Sequence, residues 1–303
     1  MINSLAAIDI NVTPWHSSSS KPHSSFLARL NEASSISSFA CENDSALAVS
    51  DHSFLIYGGQ TLTLFNIDGP LRQIAWSTQR YDSIKQIRWS SYHRAYLIMT
   101  ARIFYLLTLP SYEIIPLQLF RERLHLFTCD RTDLWLVSVS QEQELVHYDL
   151  PDWLQKGRPS LDQLGLHRSD TICAIEVDVH GETLVLLVAE RNQNLSVGVQ
   201  RRRRLILVTL PSMSASRIVY FSGADDLYWT LTSITSSTSS TNGWLLGKWF
   251  DRQLTFVDDQ CPSRVTCMNY RTELRNLAMT TNGHYLALRT VTSLDIFSMN
   301  EII

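Results

Sequence analysis

Short apolar runs broken by polar turns fill nearly the whole chain, and the last run shows the pattern most clearly. Leu274, Leu277 and Met279 lead into the turn Thr280–Gly283; Tyr285, Leu286 and Leu288 follow, then Leu294, Ile296 and Met299. Asn282-Gly283 supplies the backbone freedom of a tight hairpin, so the flanking runs pair as strands. The same strand-turn-strand plan recurs over 84–110 (turn Ser91–Arg94), 123–151 (turns at Asp130–Thr132 and Gln141–Glu144) and 172–190 (turn His180-Gly181). It recurs again over 36–67, with turns at Glu42–Ser45 and Gly58-Gly59, and over 218–233, with a turn at Gly223–Asp226. Apolar residues occupy most strand positions instead of every second one, which suits sheets covered on both faces. Only 28–33 and 152–166 read as short helices or ordered connections.

Each unit closes on a similar phrase. Taking Ile67, Leu109, Leu150, Leu210, Phe250 and Met299 as equivalent points, the steps are 42, 41, 60, 40 and 49 residues. Segments 71–77, 113–120 and 253–259 supply fourth strands between units. A period of roughly 40–50 residues built from short strands is that of a β-propeller blade, a sheet that buries its two faces only by stacking on its neighbours. The expected fold is all-β: one propeller of about six four-stranded blades, with seven the alternative count. A pair of stacked β-sandwiches is the rival, and it would show shorter, less even spacing. Residues 1–34 form an N-terminal segment with a Ser-rich stretch at 15–25, and 35–303 form the propeller domain. The β-branched run Ile8–Val12 is expected to complete the C-terminal blade and close the ring, because closure removes sheet edges.

The strand ends Tyr148-Asp149-Leu150 and Asn66-Ile67-Asp68 are near echoes of the Trp-Asp ending of a repeat, whereas Gly283-His284 sits in a hairpin turn and not at the opening of a unit. On these and on the period, the chain resembles a diverged member of the WD-repeat-like β-propeller superfamily, over almost its whole length. It departs from the family in lacking the Trp-Asp ending itself. The resemblance implies six or seven blades and a scaffold that holds protein partners on its rim loops.

Charge and composition narrow the picture. Of 303 residues, 45% are hydrophobic and 18% charged, as in a protein with a sizeable core, and a net charge of -3 gives no global pull toward nucleic acid or membranes. Cys41, Cys129, Cys173, Cys261 and Cys267 are odd in number, scattered and without a CxxC pair, which argues for a reducing compartment. The start has no basic, apolar leader and no stretch reaches the ~18 apolar residues of a spanning helix. A soluble cytoplasmic protein follows, with the nucleus left open; sequons at Asn11, Asn43 and Asn194 would matter only in secretion.

Candidate chemistry is sparse. Arg201, Arg202, Arg203 and Arg204 form the one charge run, in the insertion behind the 60-residue step. Four adjacent guanidiniums can fork onto phosphate or carboxylate, so an acidic protein surface, a phosphoinositide headgroup or RNA are the partners this run would fit; the plain alternative is a solvated loop. The Ser/Thr tract Thr232–Thr241 reads as a surface loop open to phosphorylation or as a tolerated insertion. Asp225-Asp226 and Asp258-Asp259 fall at turns, and the nine histidines lack ligand spacing. Tryptophans such as Trp76, Trp135, Trp229 and Trp244 suit packing between blades. No hydrolase elbow, metalloprotease helix or phosphate loop occurs. The sequence therefore supports a non-catalytic scaffold for protein–protein interaction, without cofactor or metal, acting as a monomer or a subunit of a complex. Anion binding through Arg201–Arg204 is the first alternative, and a propeller hydrolase or lyase at the channel mouth the second.

Overall fold

The structure, a computed structural model, describes residues 7–9, 26–41, 46–139, 143–178, 180–190, 202–210, 212–222, 229–235, 242–249, 251–259 and 265–302. Strand β1 (Ala7–Asp9), helix α1 (Phe26–Glu32) and strand β2 (Ser37–Ala40) precede the first blade. Blade 1 holds β3 (Leu47–Val49), β4 (Phe54–Gly58), β5 (Thr61–Asn66) and β6 (Gly69–Ala75). Blade 2 holds β7 (Gln86–Ser90), β8 (Ala95–Met99), β9 (Ile103–Thr108) and β10 (Ile114–Leu119). In blade 3 these places are taken by β11 (Arg123–Asp130), β12 (Asp133–Val139), β13 (Gln143–Asp149) and β14 (Gln155–Gly157). Blade 4 has β15 (Thr171–Val177), β16 (Thr183–Ala189), β17 (Arg202–Thr209) and β18 (Ser214–Ser222). Blade 5 has β19 (Trp229–Ile234), β20 (Gly243–Lys248), β21 (Gln253–Asp258) and β22 (Val265–Asn269); blade 6 has β23 (Leu274–Met279), β24 (Tyr285–Thr290) and β25 (Ser293–Ser298), ahead of α2 (Met299–Ile302).

Within each blade the strands pair antiparallel in chain order, here called A to D from the axis outward. Each A strand packs against the A strands of its two neighbours, so the six form a closed inner ring. The missing D strand of blade 6 is β2, with Ser37 opposite Ile296 and Ala40 opposite Ser293. An N-terminal strand does close the ring, but it is Ser37–Ala40, not the segment 8–12 expected there. Ala7–Asp9 runs parallel to Ile218–Tyr220 and adds a fifth strand to blade 4; residues 10–12 lie outside the described residues. The supposed hairpin over 36–50 is therefore a crossing from blade 6 to blade 1. Three hydrogen bonds tie the closure together: buried Asp295 of β25 accepts from Ser38 Oγ (2.6 Å), Tyr270 Oη (2.9 Å) and Arg271 (3.2 Å).

The absence of simple alternation now has a structural reason. In β8 all five residues are buried. Tyr96 and Ile98 face the core shared with blade 1, whereas Leu97 and Met99 face the core shared with blade 3. The period of two survives, but both faces meet apolar layers. β16 repeats this, with Leu184, Leu186 and Val188 in one layer and Val185, Leu187 and Ala189 in the next. Each buried Leu or Val contributes ~1.5–3 kcal/mol by leaving water. Helix α1 turns Phe26, Leu27 and Leu30 into the layer between blades 5 and 6, where the Phe26 and Phe256 rings lie 4.9 Å apart.

Two expectations in the fifth unit shift. Segment 253–259 is the C strand β21, not a fourth strand, and 218–222 belongs to the D strand of blade 4. The fifth closing point therefore falls near Asp259 instead of Phe250, and the last two steps become 49 and 40. The connection through 223–228 links two blades; its residues lie outside the described residues.

Candidate functional site

Alternate sides of the ring carry different turns. The A–B and C–D turns lie on one side, called here the A–B face, and the B–C turns and blade-to-blade links lie on the other. Residues of all six A strands line a cavity of about 250 Å3 on the axis, open toward the A–B face. Its floor is a transverse ion pair: Arg88 Nη1 of blade 2 meets Glu176 Oε2 of blade 4 at 2.7 Å. Thr128 Oγ1 of blade 3 donates to Glu176 Oε1 (3.3 Å), and Arg88 Nη2 donates to the Ile175 carbonyl (3.4 Å). Burial pushes the Glu176 carboxyl above its ordinary range, and the Arg88 guanidinium pulls it back. Arg88 and Glu176 are thus spent on one another, while Asp130 and Asp178 line the same cavity nearer the A–B face.

A larger recess, about 490 Å3, lies on the same face between blades 3 and 4, and shares Asp130 and Val177 with the axial cavity. The A–B turn of blade 3, Arg131-Thr132, sets Asp130 and Asp133 at its rim. The A–B turn of blade 4 brings Gly181 and Glu182, and its C–D turn brings Leu210 and Met213. Gly181 sits at φ +72°, and a side chain there would collide with the Asp130 carboxylate; only glycine allows this approach. Trp135, 2% exposed, lines the recess. Its ring stacks on His147 with centroids 3.7 Å apart, and its indole N–H has no hydrogen-bond partner. His147 Nε2 donates to Asp133 Oδ1 (2.6 Å). Burial holds the imidazole below its ordinary value, against the opposite pull of Asp133. Lys156 bridges Asp133 and Asp149, both at 2.8 Å. Asp130 and Glu182 have no ion-pair partner among the described residues, and burial raises the Asp130 carboxyl.

The arginine run falls apart in the fold. Arg201 lies outside the described residues, and Arg202 opens β17 opposite Ser222. Arg203 and Arg204 are buried, at 0% and 3% exposure. Arg204 pairs with buried Asp170, meets Glu190 at 3.2 Å and donates to the Gly165 carbonyl (3.1 Å). Arg203 Nη1 reaches Cys173 Sγ at 3.6 Å. These two are internal ties of blade 4 and do not face an anion in solvent. Strand alternation sends neighbours to opposite faces, and both faces of a blade are covered, so a run of charges at the start of a C strand is drawn inward with its counter-charges. Thr232, Ser233 and Ile234 of the Ser/Thr tract are likewise buried in β19; 236–241 lie outside the described residues. Asp258 ends β21 and Asp259 follows it, where its carbonyl accepts from Arg217 (2.7 Å).

Trp76, Trp135, Trp229 and Trp244 all sit in the layers between blades. Burial raises the Cys41 thiol to about 11 and the Cys129 thiol to about 12, so both stay protonated at neutral pH. Among the described residues no three His, Cys, Asp or Glu side chains gather to hold a metal, and no helix is long and apolar enough to cross a membrane. Sequence reasoning missed the recess. Its residues come from three turns and four strands spread over Asp130 to Met213, and the one local signal was the His180-Gly181 turn.

A six-bladed ring of four-stranded antiparallel sheets, closed by an N-terminal outer strand, is the fold of the WD-repeat-like β-propellers. A chain of the mitotic checkpoint complex superposes with a TM-score of 0.58 at 12% identity, covering 95% of this chain and 99% of that one. The N-terminal domain of Nup159 gives 0.52 at 11% identity, covering 84% and 89%. No protein-family model matches the sequence, and no curated protein does. In all, 1095 chains of solved structures match, a breadth that leaves the task to be argued from the site.

Proposed function

We propose that the chain is a non-catalytic interaction platform that holds protein partners against its A–B face. The observation that carries this reading is the pair of adjoining recesses on that face, rimmed by turns that a rigid ring holds in place. Two exposed large apolar side chains stand on the same face: Tyr92 in the A–B turn of blade 2 and Leu154 in the C–D turn of blade 3. Aromatic and apolar anchors beside polar rims are the usual makeup of an interface core. The structural likeness to a chain of a multiprotein complex fits the same reading. Free cysteines at Cys41, Cys129 and Cys173 fit a reducing, intracellular setting.

The test is affinity capture with three proteins: wild type, the A–B-face double variant Tyr92→Asp/Leu154→Asp, and the opposite-face variant Arg102→Glu. Partners held by wild type and Arg102→Glu but lost by the double variant support the reading. Partners retained by the double variant and lost by Arg102→Glu overturn it.

A further inference from the structure

The axial ion pair has a second side. Arg88 lines the cavity on the A–B face and also a smaller one, about 80 Å3, toward the blade-to-blade links. Residues from all six A strands surround this second cavity, so it lies on the axis beneath the pair. Lys85 and Arg88 line it, and among the described residues no Asp or Glu does. Glu176 offsets Arg88 from the A–B side. Lys85 is exposed and has no ion-pair partner among the described residues, so its charge stands uncompensated. Burial, and after it the fields of Lys85 and Arg123, lower the imidazole of His125 on the neighbouring blade.

The acceptors around this cavity are already taken. Gln86 Oε1 accepts from the Phe127 backbone N–H (2.9 Å), which fixes the amide orientation and leaves its N–H2 as donor. Asn276 Oδ1 accepts from Thr230 Oγ1 (2.6 Å) and from the Leu277 N–H (2.8 Å). The Ala46 and Ile175 carbonyls accept from Arg289 (2.7 Å) and Arg88 (3.4 Å). What remains is donors and positive charge. The volume is far below the ~300 Å3 at which pockets for drug-sized ligands begin, and is room for a few water-sized groups.

We propose that this link-side cavity binds a small oxyanion of phosphate size, held by the Lys85 ammonium and the Gln86 amide with the Arg88 guanidinium behind it. Arg88 would then stand between two anions, Glu176 on one side and the ligand on the other, as a guanidinium with five donors allows. Charge-assisted hydrogen bonds are about twice as strong as neutral ones, so Lys85 carries most of the affinity. Phosphate brings more charge and more acceptor oxygens than a carboxylate, into a cavity short of acceptors. The site lies on the opposite side of the ring from the recesses, and the platform reading does not depend on it.

The test titrates the full chain with inorganic phosphate, glycerol phosphate or acetate at constant ionic strength, by calorimetry. In parallel, the indole N–H of Trp249, which lines the cavity, is followed in nitrogen–proton spectra and assigned by its loss in Trp249→Phe. Phosphate is expected to saturate one site, to move the Trp249 signal and to bind at least about tenfold more tightly than acetate. Lys85→Gln, whose fold is checked by its melting curve, should weaken phosphate by about tenfold, and Lys85→Arg should restore it to within about threefold. Arg168→Gln, an exposed cation away from the cavity, should change nothing. Tighter binding of glycerol phosphate than of inorganic phosphate identifies an ester as the source, and the reverse identifies the free ion. No saturation at millimolar phosphate, an unmoved Trp249 signal, or equal losses in Lys85→Gln and Arg168→Gln overturns the proposal.

Discussion

Single residues in this ring act mainly by settling buried charge. Arg88 and Glu176 span the axis, and removing one partner leaves the other largely buried without its counter-charge. Glu176→Ala should cost about 3–5 kcal/mol in denaturant unfolding, while Arg88→Met/Glu176→Leu should recover most of it. If the double variant proves as unstable as the single, the pair is not the axial tie described. Gly181→Ala forces a side chain toward the Asp130 carboxylate in a left-handed conformation, and should cost about 1–3 kcal/mol by the same measurement. Lys248 holds the Asp251 carboxyl below its ordinary value of 3.8 through a 2.9 Å hydrogen bond. A depressed folded value means the stabilisation is full above the ordinary value and is lost as pH falls through the folded one. Asp251→Asn should therefore destabilise at neutral pH, and the gap to wild type should close in acid below that range.

At the element scale, strand identity was legible but strand membership was not. Turn residues marked most hairpins, such as Gly58-Gly59, where Gly59 and Gln60 take φ 55° and 65° in a two-residue turn. Hydrophobic pattern cannot distinguish a hairpin from a link between blades, since both join two apolar runs through a polar turn. For that reason 36–50 and 218–233 were read as hairpins, and 253–259 as an outer strand. The closing strand was assigned to Ile8–Val12 because its β-branched residues look more strand-like than Ser37-Ser-Phe-Ala40. Ser38 earns its place by reaching Asp295, 257 positions away, which no local pattern reveals. Removing residues 1–9 should leave cooperative unfolding intact. Removing 1–41 should abolish it, because blade 6 then lacks its outer strand and α1 no longer covers the layer beneath Phe256. Matching melting curves for the two truncations would contradict the assignment of closure to Ser37–Ala40.

For the whole molecule, the period of the repeat was enough to identify the ring, and the place where the repeat breaks drew attention to Arg201–Arg204. The fold redirects that attention. Arg203 and Arg204 hold blade 4 together from within, whereas the recesses lie on the opposite side of the ring from the end of β16 and the start of β17. The rim of the A–B face is assembled from short turns, of which only His180-Gly181 stands out in the sequence. Its acidic, apolar character exists only once blades 3 and 4 are side by side. The most direct measurement is photo-crosslinking from a benzoylphenylalanine placed at Tyr92 on the A–B face or at Arg102 on the other. The account predicts a defined partner adduct from position 92 and none from position 102. Adducts from position 102 alone would contradict it.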